Sequence, residues 1–186
     1  MANPWDVPFP TRGDATEKLT HQGVGRVLSI WEMCELELAR IYSAFVGDPD
    51  GRVTVDDYGQ EIIFARRLFK LRASFAAYAM RYPNQDLEGP FVRISIAAER
   101  FADRRNEVAH GYVLSVEQIG YFRQVISMRK GQRHHYLLIP PLYTVKKHQQ
   151  GLPNYAYSYA ELMLLSRGLE QLLVASGEYR SRLSGA

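Results

Sequence analysis

The chain is predicted to be mainly helical, an antiparallel four-helix bundle with a β-hairpin inserted before the last helix. Three observations predict this. Apolar residues recur at steps of three and four in four separate stretches, the spacing of one helix face. The links between the first three stretches are short and rich in turn residues, which favours antiparallel neighbours. One later stretch switches to aromatic and branched residues around a Gly-containing turn, the pattern of a hairpin.

Residues 1–13 are rich in Pro and Gly and read as an extended tail, with residues 14–186 as one helical domain. A helical pattern starts near Lys18. Val24, Val27, Leu28, Trp31, Leu38, Ile41, Tyr42 and Phe45 share one face, and Gly47-Asp48-Pro49-Asp50-Gly51 ends the helix. Thr54, with Asp57 three residues on, resembles an N-cap. A second helix then runs to about Arg81, with Ile62, Phe64, Leu68, Leu71, Phe75 and Tyr78 as its stripe. Pro83-Asn84 stops it. A third covers roughly Leu87 to Ala109, with Pro90 in its first turn and Ile94, Ala98, Phe101 and Val108 inward. Gly111 reads as its left-handed C-cap. Ile119 to Met128 and His134 to Ile139, joined through Lys130-Gly131-Gln132, read as the hairpin, an insertion spanning about 117–140. Ser158 is placed to cap a last helix from Tyr159 to about Arg182, with Leu162, Leu165, Leu169, Leu172 and Leu173 inward.

Composition narrows the function classes. Apolar residues make up 46% and charged residues 23%, which suits one folded domain with a real core. Cys34 is the single cysteine, so no intrachain disulfide and no Cys-based zinc site can form. The N-terminus lacks the basic and apolar regions of a signal peptide, and no stretch has the length of a membrane span. A cytoplasmic location with no membrane partner is the expectation.

The net charge of +3 conceals an asymmetry. From Gln118 to Ala160 there is no Asp or Glu, while Arg123, Arg129, Lys130, Arg133, Lys146 and Lys147 all lie there. The remainder of the chain is net acidic. Tyr136 and other tyrosines interleave with these cations. Cations neutralise phosphates and rings stack on bases, so this set is the candidate RNA-binding surface. The plainer alternative is a solvated hairpin edge whose charges block strand pairing.

Residues 104–111 read Arg-Arg-Asn-Glu-Val-Ala-His-Gly. At about 100° per residue, Asn106 and His110 share a helix face and Arg105 lies beside them. Arg105 is in register with the inward stripe of its helix, where an unpaired charge costs several kcal/mol. Glu35, seven after Leu28 and three before Leu38, is the expected partner of Arg105 or Asn106. An imidazole with an ordinary pKa near ~6.5 exchanges protons at neutral pH, and a guanidinium steadies charge on phosphate oxygens. The structural alternative is a His-Gly helix stop with Arg105 satisfied by Glu35.

This segment resembles the signature of the HEPN superfamily, an Arg, often with a polar residue after it, then a His after four to six intervening positions. Arg105-Asn106-Glu107-Val108-Ala109-His110 matches with four. Arg104 also fits, with five, but lacks a following Asn. The resemblance spans the motif and the helical layout, roughly residues 16–182. It implies a HEPN-like bundle that forms a homodimer with two motifs facing across a cleft. It also implies metal-independent RNA cleavage by 2′-hydroxyl attack, leaving a 2′,3′-cyclic phosphate, with Arg105, Asn106 and His110 catalytic and Glu35 and Arg104 supporting. A toxin or defence effector with an antitoxin or other protein partner fits that reading. Some relatives in this superfamily keep the fold as a non-catalytic dimeric module that binds protein or nucleic acid, which is the alternative function. Nucleotide or small-ligand binding in an inter-helix cleft without cleavage is a third.

No cofactor or metal is expected. His134 and His135 are adjacent, so in a strand they point to opposite faces, and His148 has no carboxylate near it in sequence. Asp48-Pro49-Asp50-Gly51 has its Gly misplaced for a calcium loop. No phosphate-binding Gly loop or nucleophile motif occurs.

Overall fold

The computed structural model describes residues 3–48, 51–115, 117–118, 135–141 and 156–184. Within them the order is α1 (Glu17–Val46), α2 (Arg52–Gly59), α3 (Phe64–Arg81), α4 (Gln85–His110), β1 (Tyr112–Ser115), β2 (Tyr136–Ile139) and α5 (Tyr159–Ser184). The fold is mainly helical, with a small antiparallel pair of strands before the last helix. The chain divides into two compact units, Met1–Ile30 with Asp103–Gly168 and Trp31–Ala102 with Leu169–Ala186.

The second unit is built around aromatic rings. Trp31 of α1 meets Phe64 at the start of α3, ring centroids 4.9 Å apart. Phe45, near the end of α1, meets Phe75 and Tyr78 near the end of α3 at 5.4 and 5.2 Å. These stretches of α1 and α3 therefore run in the same direction, not antiparallel as expected. The reason is that the predicted second helix is two helices. α2 doubles back along the end of α1, where Tyr42 donates to Asp57 at 2.7 Å and its ring lies 5.7 Å from Tyr58. Residues 60–63 then return the chain to the level of Trp31. Gly59 closes α2, and a glycine holds a helix weakly. The Glu61 carbonyl accepts from Arg67 Nε at 2.6 Å, which fixes the link. Ile62, placed in the core by its spacing, lies in this link and is 90% exposed.

Thr54 is likewise not the cap of α2. Gly51, with φ 65°, precedes the helix, and the Asp48 carboxylate accepts from Gly51 N, Thr54 N and Thr54 Oγ1. α3 and α4 do run antiparallel, with Phe75 stacked on Phe91 at 4.1 Å and Arg72 paired to Glu99 at 2.9 Å. α4 begins at Gln85, two residues before the expected start. Asn84 Oδ1 caps it, accepting from Asp86 N, so Pro90 stands in the second turn. The α5 stretch of this unit follows α1: Cys34 Sγ donates to Leu169 O, and the Tyr179 ring lies 6.2 Å from Phe45.

In the first unit, β2 is paired on both edges. Along one edge β1 runs antiparallel in the register Tyr112↔Ile139 to Ser115↔Tyr136. On the other, Tyr136 exchanges backbone hydrogen bonds with Asp14, and Leu138 with Tyr157. The expected second strand was found, but its partner is Tyr112–Ser115. The predicted partner, Ile119 to Met128, lies outside the described residues. Leu137, Ile139 and Ala156 form the buried centre, with Phe9 and Leu114 against it. Val7 and Pro10 are also buried, so the extended N-terminal segment is docked. α1 and α5 approach closely at Gly23, where a Cβ would stand 2.8 Å from Leu162 Cδ1. Ser158 begins α5 with a reciprocal cap: Ala160 N donates to Ser158 Oγ, and Ser158 N donates to Glu161 Oε2 at 3.0 Å.

Candidate functional site

The last two turns of α4, in the first unit, carry the Arg-Asn-His segment. Val108 and Phe101 are buried and set the helix rotation. Asn106 and His110 consequently face out and are exposed. Arg105 is half-buried, and its Nη1 donates to Asn106 Oδ1 at 3.1 Å. The carboxamide is thus oriented with its NH₂ end available as a donor beside the guanidinium.

Arg104 and Glu107 have a different role. Arg104 Nη1 pairs with Glu107 Oε2 at 2.8 Å, and Tyr157 OH donates to the same oxygen at 2.6 Å. The Tyr157 phenol is pushed well above its ordinary range, first by burial and then by the Glu107 charge, so it stays a proton donor. Tyr157 is also hydrogen-bonded through its backbone to Leu138 of β2. The end of α4 is therefore fastened to the sheet through a partly buried carboxylate. The sequence pointed to Arg104 as a supporting residue, gave Glu107 no role of its own, and placed Tyr157 only among the tyrosines of the acid-free stretch. The three-residue spacing of Arg104 and Glu107 was the available signal.

Gly111 makes the next constraint. It is not among the described glycines with positive φ, so the expected left-handed cap is absent. It is needed for space: a Cβ would stand 2.7 Å from the carbonyl oxygens of both Glu107 and Ile139. The chain leaves α4 and enters β1 directly, with His110 at the junction.

Glu35 finds its cation on α3. Trp31 Nε1 donates to Glu35 Oε1 at 2.6 Å, and Arg67 Nη1 pairs with Oε2. Arg67 was not anticipated as the partner. Of the candidate RNA-binding residues, Tyr136 is half-buried in β2, while Arg123, Arg129, Lys130, Arg133, Lys146 and Lys147 lie outside the described residues. His135 is buried, with Nδ1 3.3 Å from the Gly13 carbonyl. His134 and His148 also lie outside the described residues. Among the described residues, no three His, Cys, Asp or Glu side chains gather as metal ligands would. No described helix is long and apolar enough to cross a membrane. Compared with known proteins, the chain matches no family, no curated protein and no solved structure.

Proposed function

We propose that this protein is a metal-independent endoribonuclease of HEPN type, with Arg105, Asn106 and His110 as its catalytic residues. One observation carries the reading. The Arg-x4-His segment ends a long helix with Asn106 and His110 exposed and Arg105 hydrogen-bonded to Asn106. A phosphodiester approaching that end would meet a guanidinium, an amide donor and an imidazole together.

The ribose 2′-oxygen attacks phosphorus, the bond from phosphorus to the 5′-oxygen breaks, and a 2′,3′-cyclic phosphate remains. One base takes the 2′-hydroxyl proton and one acid protonates the departing 5′-oxygen. The segment offers one imidazole per chain, so a homodimer with two facing segments supplies both roles. Incubation of the purified chain with generic RNA in excess EDTA should yield 2′,3′-cyclic phosphate ends, and His110→Ala should abolish them. Equal inertness of wild type and variant rejects catalysis.

A second reading is a non-catalytic dimeric module of the same fold. It draws support from Glu107, inside the motif, being fastened to Arg104 and Tyr157 as a structural group. RNA bound but uncut by the wild-type chain would select it. An effector role with an antitoxin or other protein partner belongs to the same proposal.

A further inference from the structure

The second unit holds a cleft of about 680 Å³ where the end of α1, the end of α3 and the start of α4 meet. Its floor is rigid. Phe45 is buried and packed against Phe75, Phe91 and Tyr179. From that floor the rings rise in steps, Phe45 to Tyr78 at 5.2 Å and Tyr78 to Tyr82 at 5.2 Å. Tyr82 is 56% exposed and forms the rim. The space lies within the range of about 300–1,000 Å³ typical of small-molecule sites.

Arg81 is the charged residue among the described lining, and it is exposed. Asn84 stands beside it in the wall. Its Oδ1 is occupied in capping α4, which leaves its NH₂ end to donate. At Gly47 an added Cβ would meet nothing within 4 Å, so the space is open there. Aromatic walls take a flat ring, and a guanidinium takes a carboxylate through two parallel hydrogen bonds. The charge of the ligand is bounded as well. Arg81 is the one cationic residue of the described lining, and Asp86 and Glu88 flank the lining residue Leu87 in sequence. A doubly charged phosphate is poorly matched to that balance, whereas a monoanion is well matched.

We propose that this cleft binds a small aromatic carboxylate, its ring against Tyr78 and Tyr82 and its carboxylate on Arg81 with Asn84. The probes are indole-3-acetate, its neutral isostere indole-3-acetamide, and AMP, titrated into the full chain by calorimetry and checked by equilibrium dialysis. The acid should bind saturably, at least about tenfold tighter than the amide. Arg81→Gln should erase that tenfold preference and leave amide binding unchanged. Tyr82→Ala should weaken both. Both residues are exposed, and circular dichroism verifies that the variants are folded. No saturable binding of the acid, equal affinity for acid and amide, tighter binding of AMP, or undiminished affinity in either variant overturns the proposal. RNA cleavage is not read in this titration, so its failure leaves the ribonuclease proposal standing.

Discussion

Asp14 ties three stretches of chain together. Its backbone pairs with Tyr136, and its Oδ2 accepts from Thr20 Oγ1 and from Tyr159 N, each at 2.7 Å. Burial raises its pKa above 3.8, the two hydrogen bonds oppose this, and the Glu161 charge adds to the rise. A carboxyl raised on folding contributes stability that is complete below its unfolded value and is lost as pH climbs through the folded one. Urea midpoints of wild type, relative to Asp14→Asn, should therefore fall as pH rises above 3.8, because Asn keeps an acceptor and does not ionise. A parallel pH dependence in the two proteins would reject this. Cys34 makes a simpler case. Burial pushes its thiol to about 12, with the Glu35 charge adding to the shift, so native protein should resist alkylation by iodoacetamide that proceeds readily in urea. The burial of Cys34 was readable from its spacing, three after Trp31 and four before Leu38. The partner of Glu35 was not, because Arg67 reaches it only through a chain reversal that no local pattern encodes.

Helix periodicity identified α1, α4 and α5 to within a few residues, since each buries one continuous stripe. It merged α2 with α3, because the apolar Ile62 continues the expected spacing across a link in which Ile62 and Ile63 are in fact exposed. That merger reversed the predicted direction of α3 relative to α1. Arg67 now joins those two helices, and Arg67→Ala would take that cation away from the buried Glu35 carboxylate. The expected loss is about 3 kcal/mol in chemical denaturation, the scale for breaking a buried pair. A change below ~1 kcal/mol would mean that the pair is not formed in solution. The cap of α5 was visible as Ser158-x-x-Glu161. The role of Gly111 was half visible. A glycine at the end of α4 signals a special need, but φ and close approach cannot be told apart without knowing where β2 passes. Gly111→Ala should lower the thermal midpoint by several degrees, because backbone oxygens on both sides must shift. A substitution without thermal cost would remove the argument that the α4–β1 junction is sterically fixed.

At the level of the assembly, the ribonuclease proposal makes a demand that the imidazole of one α4 segment does not meet alone. Two proton transfers at one phosphodiester need a base and an acid, and the α4 segment offers one exposed imidazole, that of His110. In a symmetric dimer both histidines come from the same position on different copies. Mixing settles this. When wild type and His110→Ala are combined in equal amounts and allowed to exchange, about one quarter of the dimers carry two intact histidines. Cleavage should fall to about a quarter of that given by the same total of wild-type chain. A site complete within one chain would retain about half. The charge asymmetry of the sequence bears on the same assembly. On that same proposal the acid-free stretch from Gln118 to Ala160 would give the RNA a cationic approach, so cleavage should weaken steeply between about 50 and 200 mM salt. The mixing ratio is insensitive to that screening, because both species share the same charges outside position 110. A ratio near one half at every salt concentration would therefore discard the composite site while leaving the chemistry of a single segment intact.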